Sequence, residues 1–225
     1  MEPLTVQWPT EVREAVAVQQ VLRRRIRLED DPGPLATVAG VDTAFPKRGG
    51  EPVARCAVVV LSFPDLRLLG EAAAEVPVMF PYVPGLLAFR EGPAIVAALA
   101  QLPEPPDLLM FDGHGYAHPR RIGIASHLGV LLDRPAIGCA KSILTGHADE
   151  PGPEPGDRAP LLARDGELLG YALRTRARTR PVYVSPGHRV SFATAADLVM
   201  ACVRGRRLPE PTRLADHLSK GSVLR

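Results

Sequence analysis

The chain has 225 residues, 46% of them apolar, with a formal net charge of +2. That length is enough to bury one substantial core and too short for two large domains, so a single globular domain is expected. A charge so near zero excludes a molecule drawn as a whole to polyanions, and no apolar run approaches the roughly 20 residues of a membrane span.

The amino-terminal MEPLTVQWPTEVREAV lacks the basic-then-apolar layout of a secretory signal. Cys56, Cys139 and Cys202 are odd in number, far apart and without CxxC spacing, which predicts reduced, buried thiols. A soluble cytoplasmic protein is expected.

Residues 10–27 read as an amphipathic helix with Val12, Val16, Leu22 and Ile26 on one side, packed on the outside of a sheet. Between 36 and 76 come three valine-rich runs, ATVAGVDTAF, ARCAVVVLSF and LRLLGEAAAEV, separated so tightly that an antiparallel meander is predicted. After PYVPG, residues 86–102 form a helical pattern carrying Glu91, and 107–112 a short buried strand ending at Asp112. A second helix covers about 122–132, and PAIGCA reads as another buried strand.

Residues 146–160, GHADEPGPEPGDRAP, read as a surface loop. LLGYALRTRARTR and PVYVS follow as strands, and in a strand Arg174, Arg176, Arg178 and Arg180 share one face. The pattern then predicts a helix over 194–204 capped by Thr194. Thr212 is predicted to cap the last helix, with Asp216 in about its first turn. This order predicts the α/β class: a mixed sheet, antiparallel meander plus parallel strands, flanked by helices.

Four carboxylates, Asp42, Glu91, Asp112 and Asp216, lie in four separated segments, each beside an apolar stretch. A lone buried carboxylate there carries a penalty of roughly several kcal/mol unless a metal or hydrogen bonds offset it. If the fold gathers them, they suit metal-assisted phosphodiester chemistry. Taken singly, each also reads as a helix cap, a turn former or half of an ion pair. Residues 174–213 hold nine arginines against two acids, Asp197 and Glu210. Such a surface fits a polyanionic substrate beside an acidic centre, and equally a solvated face. His114 and His118 have HxxxH spacing, but Gly113, Gly115 and Pro119 work against the helix that a zinc site of that kind needs.

At PYVPG, FRE, DGHGYAHPRRIGIASHLG, AKSIL, GHRVS and RLPEPTRLAD, in order along nearly the whole chain, the sequence resembles the endonuclease V family, which has a ribonuclease H-like fold. The resemblance implies a magnesium-dependent nuclease, with manganese a possible substitute. Its partner would be deoxyinosine-containing DNA, nicked at the second phosphodiester bond 3′ of the hypoxanthine nucleotide to leave 3′-hydroxyl and 5′-phosphate ends. Asp42, Glu91 and Asp112 match the family's acidic triad, with Asp42 and Asp112 as direct metal ligands. Asp216 matches a fourth position where members carry Asp or His, and Lys141 a lysine near the scissile phosphate. The PYVP segment, Pro81, Tyr82, Val83 and Pro84, resembles a wedge that fills the gap left by a flipped base. His118 matches a residue near the lesion pocket, whereas His114, His127 and His188 read as structural.

The chemistry is consistent with those roles. Hard carboxylate oxygens suit magnesium or manganese, and a lysine can neutralise charge on a phosphate. Hypoxanthine presents an O6 acceptor and an N1 donor and lacks guanine's amino group, so a tight pocket of backbone groups can select it. Gly85 and Gly113 permit close backbone approach, with Leu87, Ile124 and Leu144 as apolar walls. Open alternatives are an endonuclease acting on inosine-containing RNA, a less selective single-strand or flap nuclease of the same fold, and an inosine-binding module without turnover.

Overall fold

The computed structural model describes residues 8–31 and 33–222. Strands β1 (Thr37–Ala44), β3 (Glu51–Ser62) and β4 (Leu68–Pro77) form the expected antiparallel meander, and the two-residue β2 (Lys47–Arg48) pairs with β3 beyond the end of β1. Parallel to β1 runs β5 (Leu108–Phe111), and parallel to β5 runs β6 (Ala136–Ala140). The sheet then continues antiparallel through β10 (Val182–His188), β9 (Leu168–Leu173), β8 (Arg158–Leu162) and β7 (His147–Ala148).

Strands β5 and β6 are buried at every position, which is why LLMF and AIGCA show no polar alternation. Helices cover both faces. Leu108 and Met110 of β5 join the cluster that packs beneath α4 (Phe192–Ala201) and α5 (Glu210–Ser219). Leu109 and Phe111 point the other way, toward α2 (Leu87–Leu99) and α3 (Ile124–Leu132). Cys56, Cys139 and Cys202 are buried free thiols, and burial pushes each above the ordinary thiol range.

Several local expectations are corrected. Helix α1 spans Val12–Arg23, and its buried line is Ala15, Gln19 and Leu22, while Val12 is 43% exposed. It packs on α3 rather than directly on the sheet, because α3 already covers the strands there. The segment read as a loop over 146–160 holds β7 near its start and the first three residues of β8 at its end; Pro160 and the surrounding Pro and Gly residues disguised them.

Strand β9 ends at Leu173, so the four alternating arginines do not share a strand face. Arg174 is buried, donating to the carbonyls of Gly152, Pro151 and Thr179 and pairing with Glu150, whereas Arg176, Arg178 and Arg180 are exposed on the following turn. Ser191, not Thr194, caps α4 by accepting the Thr194 N–H. Pro209 is the N-cap of α5, with Thr212 one turn inside donating to its carbonyl, which moves Asp216 to the second turn.

Candidate active site and base pocket

Asp42 follows the pleat of β1. Ala39 and Val41 belong to the cluster under α2 and α3, so Gly40 and Asp42 face α5. Gly40 makes the approach of that helix possible: a Cβ there would lie 1.9 Å from the Pro211 carbonyl oxygen. Helix α5 therefore lies with its backbone directly on β1, and its second turn delivers Asp216 beside Asp42. Asp112 immediately follows β5, its N–H bonded to the Val41 carbonyl at 3.1 Å.

One ligand oxygen from each of Asp42, Asp112 and Asp216 lies within 4.8 Å of the others. Lys141, just past β6, places Nζ 2.5 Å from Asp112 and 3.4 Å from Asp216, and Lys220 sits 2.6 Å from Asp216. Ser219 donates to Asp42 Oδ2 at 2.6 Å.

The electrostatics show the strain of assembling these charges. Burial, then the neighbouring Asp112 and Asp216, pushes Asp42 up to about 6 despite the Ser219 bond. Asp216 is held below the usual carboxylate range: burial opposes this, but Lys220 and Lys141 outweigh it. Burial works against the ammonium of Lys141, yet Asp112 and Asp216 hold it above the ordinary lysine value.

Glu91, on α2 and 8% exposed, stands outside the three-oxygen group. Burial, with Asp42 and Asp112 nearby, pushes it up to about 8. Three converging carboxylates of which one resists ionisation fit a divalent cation, whose charge relieves their repulsion, and the all-oxygen donor set is that of magnesium or manganese.

Beside this cluster is a pocket of about 230 Å³, just below the usual ligand-pocket range of roughly 300–1,000 Å³. Its lining includes Tyr82, Val83, Pro84, Gly85, Leu87, His114, His118, Ile124, Ser142 and Leu144. Tyr82, 70% exposed, stands at the mouth. Two neighbours of cluster residues reach it: His114, two residues beyond Asp112, bonds the Ser142 carbonyl at 2.9 Å, and Ser142 follows Lys141.

The rim is held by an unusual anchor. The Gly85 carbonyl accepts from Gln19 Nε2 at 3.0 Å, His118 Nε2 at 3.0 Å and Arg120 Nη2 at 2.7 Å. Gly85 has φ +80°, and a Cβ there would meet Arg120 at 2.9 Å and His118 at 3.1 Å. His118 Nδ1 accepts the Arg120 N–H at 3.1 Å, so Nε2 carries the proton given to Gly85. Burial and Arg120 bring this imidazole down to about 4, which keeps it neutral.

The model of the family described as Endonuclease V matches residues 20–217. The endonuclease V of a Roseiflexus species is 57% identical over 212 residues, covering 94% of this chain and 93% of the relative. The chain belongs to the endonuclease V family. It is thus a nuclease, a hydrolase, with a ribonuclease H-like fold. The crystal structure of endonuclease V from Streptomyces avermitilis superposes with a TM-score of 0.89 at 47% identity, covering 95% of this chain and 93% of that one. Endonuclease V of Ciona intestinalis, in complex with a 24mer DNA containing an inosine followed by a ribo-adenosine, gives a TM-score of 0.80 at 30% identity, over 93% of this chain and 96% of that one.

Against the endonuclease V motifs, the tertiary structure brings together most but not all of the expected residues. Asp42, Asp112, Asp216 and Lys141 converge, and Glu91 stands apart from the three-oxygen group. Gly85, Leu87, His118, Ile124 and Leu144 line the pocket with Tyr82, Val83 and Pro84, whereas Pro81 and Gly113 do not. Gly113 acts from behind: a Cβ there would lie 2.8 Å from Ile124 Cγ2, so its absence lets the start of α3 close in. The ring of His118 faces the pocket, but its nitrogens are already engaged by Gly85 and Arg120.

Gln19, Ala88, His114, Ile122, Gly123 and Ser142 also line the pocket and were not anticipated. Gln19 carried the one legible signal, a polar residue on the inner line of α1 between Ala15 and Leu22. Among the described residues no helix is long and apolar enough to cross a membrane.

Proposed function

We propose that this endonuclease recognises deoxyinosine in DNA, holds the hypoxanthine base in the pocket rimmed by Gly85, and hydrolyses the second phosphodiester bond 3′ of it, as a repair enzyme. The observation that carries the reading is the adjacency of a base-sized pocket, mouthed by exposed Tyr82, to three carboxylate oxygens within 4.8 Å of one another. The Ciona complex with inosine-containing DNA supports it from a relative of the same fold.

Asp42 and Asp112 would hold magnesium, or manganese in its place, with Asp216 completing the acidic face. When bound, such a cation lowers the pKa of the attacking water and neutralises the phosphate oxygens. Lys141, already beside Asp112 and Asp216, adds a point cation where the phosphate arrives. Tyr82 fills the space vacated by the base, offsetting an unstacking penalty of roughly a few kcal/mol. The Gln19, His118 and Arg120 donors hold Gly85 still, so the rim is preorganised for one base edge. Water attacks phosphorus, the P–O3′ bond breaks, and the products carry a 3′-hydroxyl and a 5′-phosphate.

The test is nicking of otherwise identical oligonucleotides containing deoxyinosine or deoxyadenosine, with magnesium and with chelator. Selective, chelator-sensitive nicking is expected; equal cutting of both, or cutting that survives chelation, overturns the reading. A second reading, inosine in RNA as substrate, is favoured by the ribo-adenosine that follows inosine in the Ciona complex. Matched DNA and RNA oligonucleotides, with a strand carrying a single ribonucleotide after the inosine, separate the two.

A further inference from the structure

The loops 174–181 and 202–209 carry a charged surface that neither the core nor the carboxylate cluster uses. Arg174 is buried against loop carbonyls, and Arg204 donates to the carbonyls of Ala201, Val203 and Pro64. Arg176, Arg178, Arg180 and Arg206 are different: all are exposed, and among the described residues their guanidinium groups make no ion pair or hydrogen bond.

The sheet register sets where these groups stand. Strand β10 runs antiparallel to β6 with Tyr183 opposite Ala140, so the loop entering β10 lies at the end of β6 from which Lys141 emerges. Arg207 fastens the two loops at that point. It donates to the carbonyls of Lys141 at 2.9 Å, Pro181 at 2.8 Å and Arg180 at 2.9 Å, while its own carbonyl accepts from Thr175 at 2.6 Å. Segment 141–144 therefore has the base pocket at its Ser142–Leu144 end, and the carboxylate cluster with the arginine loops at its Lys141 end.

We propose that Arg176, Arg178, Arg180 and Arg206 form a phosphate-binding track for the substrate strand on the 3′ side of the scissile bond. A strand whose base is in the pocket and whose cut bond lies at the cluster continues 3′ past Lys141, onto the surface where these guanidiniums stand without acidic partners. The guanidinium fork matches phosphate oxygens, and contacts of this kind position a strand without reading its sequence. That suits an enzyme whose base choice is made in the pocket. The inference rests on the proposed reading of pocket and cluster.

The test compares wild type with the Arg176→Gln, Arg178→Gln, Arg206→Gln triple variant on deoxyinosine duplexes whose 3′ arm is shortened stepwise, and on a reciprocal 5′ series. A charge-matched control replaces exposed Arg13, Arg24 and Arg25 of α1 and its end with Gln. On long 3′ arms KM of the loop variant should rise about tenfold, with a salt slope shallower by roughly 2–3 for three lost phosphate contacts. The penalty should fall below about twofold when the 3′ arm ends near the cut, and the thermal midpoint should stay near wild type because the replaced groups are exposed. The proposal is overturned by a penalty independent of 3′ arm length, by one that follows the 5′ arm, or by an equal penalty in the control. Should wild type cut deoxyadenosine strands equally well, the base-pocket reading falls, while the arm series on those strands still decides the track.

Discussion

Asp42, the proposed metal ligand, is held in the folded chain at a cost to stability. Its folded carboxyl titrates at about 6, raised first by burial and then by Asp112 and Asp216, while the unfolded one titrates near 3.8. Between those values the unfolded chain has already lost the proton that the folded chain keeps, so stability falls as pH rises through the window and stays lower above it. Asp42→Asn is therefore expected to raise unfolding free energy by about 1–2 kcal/mol at pH 8 in chelator, since one pKa unit is about 1.4 kcal/mol and the weaker bond from Ser219 to a neutral amide oxygen offsets part of the gain. The same change should lower nicking by roughly a hundredfold or more. Denaturant melts and single-turnover nicking measure the two, and a less stable Asp42→Asn protein would contradict the account.

His127 works through pH in the opposite sense. It is 1% exposed, stacked at 6.0 Å on Trp8 and edge-on to Phe89 at 4.9 Å. Burial, with a smaller contribution from His118, brings its pKa down to about 4. Protonation thus favours the unfolded chain, and the stabilisation present above pH 6.5 is lost as pH falls toward 4. In His127→Phe the drop in stability between pH 7 and 4.5 should be smaller by about 2 kcal/mol, with His118 still contributing a residual slope. Parallel pH profiles for the two proteins would count against this origin.

These two residues differ in how legible they were. Asp42 announces itself because a carboxylate inside TVAGVDTAF conflicts with its surroundings, whereas a histidine in a helix has too many ordinary roles. Gln19 shows the same limit, since its meaning lies in a carbonyl 66 residues away.

Among the elements, the contact of α5 with β1 decides whether the acidic cluster exists. Gly40 leaves no room for a side chain, with a built Cβ 1.9 Å from Pro211 O, so Gly40→Ala must push the helix outward. The expected loss is about 3 kcal/mol of stability, at the upper end of overpacking penalties. Because Asp216 rides on that helix, manganese affinity measured by calorimetry should fall as well. A variant destabilised but unchanged in metal affinity would show that Asp216 is not required in the cluster. The strand runs themselves were readable from their apolar lengths and short connections. Their ends were not: the RTRAR repeat has strand periodicity, yet Arg174 finds more partners in the carbonyls of Gly152 and Pro151 than a continued strand face offers.

For the whole molecule, the cluster ties β1, the end of β5 and α5 together, and Lys141 extends it to β6. A cation that binds only this assembled state should stabilise the fold by about 2.7 kcal/mol at a hundred times its dissociation constant. The denaturant midpoint is expected to rise with magnesium or manganese and to return with chelator, and the rise should be absent in Asp42→Asn. A midpoint indifferent to cation at concentrations that support nicking would place the metal elsewhere.

Apolar run lengths, turn residues and the PYVPG, DGHG and TRLAD motifs were sufficient by themselves for the α/β class, the mixed sheet and the chain's kinship, because each depends on local pattern or on side-chain identity. The tertiary structure alone decided that Asp216 stands with Asp42 and Asp112 while Glu91 stands apart, that Gln19, His118 and Arg120 converge on the Gly85 carbonyl, and that Arg207 ties the arginine-bearing loops to the Lys141 carbonyl. Each of these is a distance between residues far apart in the chain, set by strand register and by how closely a helix can approach a glycine, and neither quantity is carried by local periodicity.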